Sequence, residues 1–191
     1  PNNERYYDVP IGPVHLFILD SDSKEPDGRS RTSTQANWLR DKLAASSAPH
    51  KLVLLHHAPY SSGSDHGSNT TLQWPFEAWG ATAIFSGHDH HYERLTVGTI
   101  PYFVNGSGGR PLYPLGNPLP QTQVAYDDDF GAMLMQVENT QIRYQFFNRR
   151  GTLIDSYLQD NGASEGTLSR QVIAGNDDAE ENGDGRVYLS S

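Results

Sequence analysis

Two apolar segments of this chain run directly into histidines. Residues 51–55 (KLVLL) precede His56 and His57, and residues 82–85 (TAIF) precede the segment 87–94, whose sequence is GHDHHYER. Short apolar runs of this kind are typical of strands buried on both faces of a sheet. In α/β proteins, side chains just past the carboxyl ends of such strands meet at one edge of the sheet. We therefore expect these histidines to converge, and neutral imidazole is the commonest protein ligand for a transition metal.

The rest of the chain alternates strand and helix and then changes to hairpins. Residues 14–20 form another nearly continuous apolar run, and residues 35–45 show apolar positions at helical spacing after a Ser33 or Thr34 cap. Three later stretches joined by turn residues predict an antiparallel meander. They are residues 132–137, 142–147 and 153–158. This order of elements predicts an α/β (α+β) fold.

Composition narrows the class of protein. A length of 191 residues suits one domain with a sizeable core. No apolar run approaches the roughly 20 residues that a membrane helix needs. A net charge of −9 argues against a nucleic-acid surface, and the absence of cysteine excludes thiolate ligands, disulfides and cysteine nucleophiles. A phosphate ester remains compatible with this charge, because bound cations can supply the local positive charge.

The GHDHHYER segment resembles the GHxHxYER motif of purple acid phosphatases, which are calcineurin-like metallophosphoesterases. His57-Ala58-Pro59, directly after a strand, resembles the preceding metal-binding motif of that family. His66, within Asp65-His66-Gly67, lies nine residues past His57, where these phosphatases carry a histidine that faces the substrate. The resemblance covers roughly residues 1–160 and implies part of a four-layer α-β-β-α metallophosphoesterase sandwich.

The resemblance also implies a role for each histidine of these motifs. His57 and His88 would bind one metal of a pair, and His90 would bind the other. His66 would be catalytic, by donating a proton to the leaving alkoxide or by hydrogen-bonding a phosphoryl oxygen. The cofactors would be two divalent or trivalent ions of iron, zinc or manganese. Asp89, between two ligands, would point away from the metals.

Each of these histidines also has a plainer interpretation, as an exposed loop residue bonded to solvent. Strand context and the complete motif favour the ligand interpretation for His88 and His90. For His56 and His57, the strand register decides which of the two is the ligand. Neighbouring strand residues face opposite ways, so at most one should reach the site. We expect His57 at the site and His56 in the core or behind the ligands, with His56 as the substitute if the register slips.

The implied activity is metal-dependent hydrolysis of a phosphate ester. The simplest form is a secreted phosphomonoesterase of the acid or alkaline phosphatase type, with a dinuclear metal centre and a metal-bound hydroxide. A phosphodiesterase or nucleotidase of the same superfamily is an alternative, and so is a non-catalytic assembly subunit with this fold. Bacterial members of this group are largely exported, so a periplasmic or extracellular location is expected.

Three further motifs of the family are not found in this sequence, and all would precede residues 14–20. They supply the Asp, Asn and Tyr ligands of the metal pair. We therefore expect residues 1–160 to be the carboxyl-terminal half of a catalytic domain, partnered by the missing amino-terminal half. The strands at residues 14–20 and 51–55 should then have a missing neighbour or one from another chain. Residues 161–191 should form an acidic linker and the start of a possible further domain.

Overall fold

The structure, a computed structural model, describes residues 5–162. Their strands and helices, in chain order, are β1 (Tyr7–Ile11), β2 (Val14–Ile18), α1 (Thr34–Ala45), β3 (His50–Leu54), a 3-10 turn (Thr70–Leu72), β4 (Ala83–Ser86), β5 (Tyr92–Val97), β6 (Ile100–Asn105), β7 (Thr122–Tyr126), β8 (Gly131–Val137), β9 (Gln141–Asn148) and β10 (Leu153–Asp160). None of the described helices is long and apolar enough to cross a membrane. The predicted linker and tail lie outside the described residues, apart from Asn161 and Gly162.

The strands form two sheets. The larger has the order β1-β2-β3-β4-β6-β5-β7. Its four central strands, β2, β3, β4 and β6, are parallel to one another. The smaller is the antiparallel meander β10-β9-β8, as the turn residues predicted. Parallel strands have their carboxyl ends at one edge of the sheet, so the loops after β3 and β4 begin side by side.

Two apolar cores separate the layers. On one face of the large sheet, α1 packs through Leu39 and Leu43 against a cluster that includes Val53 and Ile84. Ser33 caps this helix, because its side chain accepts a hydrogen bond from the Ala36 N–H. On the other face, side chains of the two sheets form a second buried cluster. The described residues thus build helix, sheet and sheet in succession, which confirms the predicted α/β sandwich.

The expectation that two strands would lack a neighbour is wrong. β2 pairs with β1 on one side and β3 on the other, and β3 pairs with β2 and β4. Sequence reasoning missed β1 because Pro10 and a charged Asp8 interrupt its apolar residues. Proline is confined to sheet edges, and β1 is indeed an edge strand. Among the described strands, the free edges belong to β1, β7, β8 and β10.

A buried ion pair joins the two sheets. Arg94 on β5 donates from Nε (2.7 Å) and from a terminal nitrogen (3.0 Å) to Asp155 on β10, and the Tyr92 hydroxyl donates to the same carboxylate at 2.7 Å. Arg94 and Asp155 are only 1% and 2% exposed. The guanidinium also lies 4.8 Å from the ring centre of Tyr157. Tyr92 and Arg94 of the GHDHHYER segment therefore hold the sheets together.

Candidate metal centre

Four histidines meet at the carboxyl edge of the large sheet. His56 and His57 follow β3, His88 follows β4, and His66 lies on the loop between these strands. The ring centre of His88 is 4.3 Å from that of His57, 4.9 Å from that of His56 and 4.0 Å from that of His66. The structure therefore brings together His57, His66 and His88, which the sequence had placed at the site.

Three of these side chains can face a single cation. His56, His57 and His88 each have a ring nitrogen that lies within 4.8 Å of a ring nitrogen of the other two. His56 Nε2 and His88 Nδ1 are 3.0 Å apart. A set of imidazole nitrogens suits zinc, manganese or iron. The residues present thus fit a metal ion, although this group contains no carboxylate from the described part of the chain.

The prediction that His56 lies in the core or behind the ligands is wrong, and His56 instead lies where it was named as a substitute ligand. Its side chain is exposed and belongs to the histidine cluster. Strand alternation does not separate His56 from His57, because β3 ends at Leu54 and both histidines occupy a bend. The sequence signal that would have revealed this is the nearby Pro59, since proline disfavours continuation of a central strand.

Ser21 holds His57, and sequence reasoning did not identify it. The Ser21 hydroxyl oxygen accepts a hydrogen bond from the His57 backbone N–H at 3.0 Å and lies 2.9 Å from His57 Nδ1. When Nδ1 carries the proton and donates it to Ser21, Nε2 keeps a lone pair for a cation. The only sequence signal for Ser21 is that it lies three residues past the end of β2, close to the sheet edge where the site is built.

Burial keeps the central histidines neutral. It lowers the pKa of His57, with further lowering from the nearby His56 and Arg29. Burial, together with His57, His66 and His56, lowers the pKa of His88 to about 4. A neutral imidazole has the lone pair that a metal requires, whereas a protonated one does not. His57 and His88, two of the three predicted ligands, are therefore in the right protonation state at neutral pH.

His88 also has an unusual backbone conformation. Its φ is 67°, and among the described residues other than glycine it alone has a positive φ. The surrounding turn fixes this conformation, because the Asp89 N–H donates to the Gly87 carbonyl at 2.8 Å and the Gly87 N–H donates to the His56 carbonyl at 3.0 Å. Backbone strain of this kind concentrates at functional sites. It supports a functional role for His88.

His90 lies outside the three-histidine group. Its ring stacks on Tyr113 with centres 4.0 Å apart, and its Nδ1 is 2.8 Å from the Pro111 carbonyl oxygen. Since a carbonyl only accepts, Nδ1–H donates and Nε2 is left with its lone pair. Metal-binding histidines are commonly oriented in this way. The role of His90 as the ligand of a second metal stays a prediction.

His66 lies beside an open polar cleft. Its side chain is exposed, and its ring also contacts Tyr113 at 5.6 Å between centres. The cleft has a volume of about 390 Å³ and is lined by His57, His66, His88 and a run of small polar residues that ends at Thr70. The His66 side chain therefore lines a cleft next to the histidine cluster. Its catalytic role stays a prediction.

Glu93 braces the loop that carries His66. Its buried carboxylate accepts hydrogen bonds from the Ser62 backbone N–H (2.8 Å), the Ser62 hydroxyl (2.6 Å) and the Thr122 hydroxyl (2.6 Å). Burial raises the pKa of Glu93, but hydrogen bonds from His91, Ser62 and Thr122 outweigh it and leave the pKa below its usual value. Glu93 is thus a charged structural support behind the site.

Part of the chain matches known proteins in sequence. The family model for calcineurin-like phosphoesterases matches residues 1–92. Tartrate-resistant acid phosphatase type 5 of Rattus norvegicus is 34% identical over 80 residues, which are 39% of this chain and 24% of that protein. The chain thus spans about a quarter of the length of this curated relative.

Solved structures share the fold at low sequence identity. Purple acid phosphatase PPD1 from yellow lupin (Lupinus luteus) seeds superposes with a TM-score of 0.69 at 15% identity, over 86% of this chain and 36% of that one. GAP50 of Plasmodium superposes at 0.65 with 16% identity, over 84% and 54%. PhoD superposes at 0.58 with 13% identity, over 84% and 43%. Residues 1–92 therefore resemble the calcineurin-like phosphoesterases in sequence, and the chain shares its fold with the lupin purple acid phosphatase.

Proposed function

We propose that this chain takes part in the metal-dependent hydrolysis of phosphate esters, as a phosphomonoesterase with a dinuclear metal centre. The convergence of His57 and His88 at the carboxyl edge of the sheet carries this proposal, because both are neutral and face a polar cleft. His57 and His88 would hold one cation, with His56 as a further donor. His90 would hold the second through Nε2.

Iron, zinc and manganese all suit these donors. Bound cations would lower the pKa of a water molecule and neutralise charge on the phosphoryl group. The chain's own residues have complementary tasks. Ser21 orients His57, the polar cleft receives the ester, and His66 donates a proton to the leaving oxygen.

We also propose that a polypeptide segment carrying Asp and Asn ligands completes this site. The histidine group supplies no carboxylate, whereas the resemblance to purple acid phosphatases implies Asp and Asn ligands for the metal pair. The chain spans only 36% of the lupin phosphatase and 24% of the rat phosphatase. The remainder of such a domain, in the same or another polypeptide, is the source we propose.

The edge of β8 is the docking surface that we propose for this segment. β8 is a free edge, its sequence GAMLMQV has no charge, and Leu134, Met135 and Val137 are 50%, 42% and 38% exposed. An apolar groove of about 350 Å³ lies between β8 and the ends of β3 and β4. It extends to Leu55 and Gly87, the residues that precede the histidines. A strand added to β8 would therefore end beside the metal centre.

We expect the 191-residue chain alone to associate with itself and to be inactive on phosphate esters. A free, uncharged and partly apolar strand edge is a template for pairing with other chains. Met135→Lys, which places a charge in the groove, should reduce the association measured by analytical ultracentrifugation. Leu153→Lys on β10 is the matched control, since Leu153 is 43% exposed at the opposite edge of the same sheet.

Equal effects of the two lysine variants would contradict the assignment to β8. A soluble, monomeric and catalytically competent preparation of the chain alone would refute the need for a further segment.

His66→Ala in the assembled enzyme should lower turnover of alkyl phosphates by ~10²–10⁴-fold, the range for a general acid. Metal content should stay nearly unchanged, because His66 donates a proton and is not a ligand. The loss should shrink for nitrophenyl phosphate, whose leaving group needs little protonation. Turnover on both esters and metal content by mass spectrometry test this together.

His15→Ala is the control for His66→Ala. His15 also carries an imidazole, but it bonds Asp8 and Ser46 near the start of β2, at the opposite end of the strand from the site. It should leave both esters and the metal unaffected. If His66→Ala strips metal, or slows both esters equally, then His66 is not the general acid.

Other activities of the superfamily are distinguished by substrate. A phosphodiesterase or nucleotidase would use the same centre, and preference for diesters or nucleotides over simple monoesters would replace the phosphomonoesterase proposal. GAP50, which has this fold, is described as the anchor in the inner membrane complex of Plasmodium. A non-catalytic assembly role is the second candidate, favoured by the lack of a carboxylate in the histidine group. A completed protein that binds no metal and hydrolyses no ester would contradict the catalytic proposal and leave this role as the remaining candidate.

We further propose that the protein acts in the periplasm or outside the cell, by resemblance to exported phosphatases of this type. Cell fractionation that finds it in the cytosol would contradict this location.

A further inference from the structure

Asp89 stands between two proposed ligands, yet its side chain binds the loop that carries His66. The residue is fully buried, with 0% of its surface exposed. Its Oδ2 accepts hydrogen bonds from the Ser61 hydroxyl at 2.5 Å and from the Gly67 N–H at 3.0 Å, and its Oδ1 accepts one from the His66 N–H at 3.3 Å. The carboxylate therefore contacts the backbone on both sides of the His66 Cα.

The space around this carboxylate is closely fitted. A Cβ atom added to Gly63 would lie 2.4 Å from Asp89 Cγ and 2.6 Å from each of its oxygens. The Gly63 N–H donates to the Ser61 hydroxyl oxygen at 3.0 Å, which aligns that hydroxyl toward Asp89. Only glycine at position 63 lets the loop pack against the carboxylate.

Neutral donors alone stabilise the buried charge. Within residues 5–162, no Lys or Arg forms an ion pair with Asp89. A buried carboxylate is costly unless hydrogen bonds compensate it. The loop must therefore present its hydroxyl and N–H groups to Asp89, which favours one loop conformation.

The His66 ring depends on this backbone arrangement. In the described part of the chain its ring nitrogens have no hydrogen bond, and the ring lies against the aromatic rings of His88 and Tyr113. Apart from these ring contacts, no hydrogen bond to the imidazole fixes its direction. Its placement over His88 is set by the position in which the loop backbone is held.

We propose that Asp89 is the positioning residue for His66, linking the His88 turn to the loop of the general acid. This inference rests on the proposed function for its catalytic consequence, but the hold on the loop can be measured without activity. A single carboxylate then couples the metal ligand on one strand end to the proton donor on the neighbouring loop.

Hydrogen exchange in the full chain tests the hold directly. Asp89→Asn removes the charge and one acceptor, and Gly63→Ala displaces the carboxylate with no change in any charged group. Both should speed amide exchange in fragments spanning residues 61–68 by about 10- to 100-fold, the range for a lost hydrogen bond to a charged group. Asp128→Asn, an exposed carboxylate that loses the same charge, should not.

Kinetics of the completed, metal-loaded protein test the catalytic consequence. Both variants should retain metal and lower kcat for alkyl phosphates more than for nitrophenyl phosphate, with KM nearly unchanged. This is the pattern of His66→Ala at smaller amplitude. If Asp89→Asn does not fold, Gly63→Ala and Ser61→Ala test the same proposal. Ser61→Ala deletes one hydrogen-bond donor to Asp89.

Unchanged exchange in residues 61–68 would overturn the proposal. Loss of metal, or equal slowing of both esters in a protein with faster exchange, would also overturn it, because Asp89 would then act on the ligands. If the unsubstituted protein hydrolyses no ester, the proposed function fails, while the exchange experiment still decides whether Asp89 holds the loop.

Discussion

Replacing His88 with alanine should remove metal and activity together. Loss of a group that only orients a ligand typically costs 10–100-fold in metal affinity, so loss of a ligand should cost more than about 100-fold. His88 is the centre of the cluster, with three other imidazoles within 4.9 Å of its ring centre. Metal content and phosphatase turnover of the completed protein should both fall to background.

The contrast with His66→Ala makes this prediction specific, since that variant should keep its metal. His15→Ala again controls for loss of an imidazole elsewhere. A His88→Ala protein that keeps its metal, or that loses metal only as far as His15→Ala does, would remove His88 from the ligands.

Asp155→Ala should destabilise the protein by about 3–5 kcal/mol, the cost of removing one partner of a buried ion pair. Arg94 would remain charged and buried, and three hydrogen bonds to the carboxylate would be lost. For a chain of this size the melting temperature should fall by roughly 6–20 °C. Urea and thermal denaturation followed by circular dichroism measure both quantities.

Asp160→Ala is the matched control on the same strand. Its exposed side chain accepts hydrogen bonds from the Gln141 side chain and the Gly162 N–H, so its removal should leave the free energy of unfolding nearly unchanged. Adding Arg94→Met to Asp155→Ala should recover part of the loss, because the unpaired charge is then gone. Equal destabilisation by Asp155→Ala and Asp160→Ala would show that the ion pair does not hold the sheets together.

The sequence could predict the positions that depend on local pattern. Apolar runs placed β3 and β4, and their carboxyl ends placed His57 and His88 at one edge of the sheet. The spacing of His66 from His57 placed it on the loop beside them. Turn residues between short apolar stretches predicted the meander of β8, β9 and β10.

Contacts between distant residues could not be predicted in this way. Asp155 meets Arg94 across 61 residues, and Ser21 meets His57 across 36. Nothing in either local sequence identifies the partner. His90 is directed by the carbonyl of Pro111, 21 residues away. His56 was misplaced because strand alternation was extended past the residue where the strand ends.

Anomalous diffraction at the zinc edge, on crystals of the protein grown with zinc, tests the metal centre most directly. We expect a peak about 2.0–2.1 Å from a ring nitrogen of His57 and of His88, the usual zinc–imidazole distance. Crystals of His88→Ala grown in the same way should lack this peak. No peak between His57 and His88, in crystals that bind zinc elsewhere, would contradict the metal centre on which the proposed function depends.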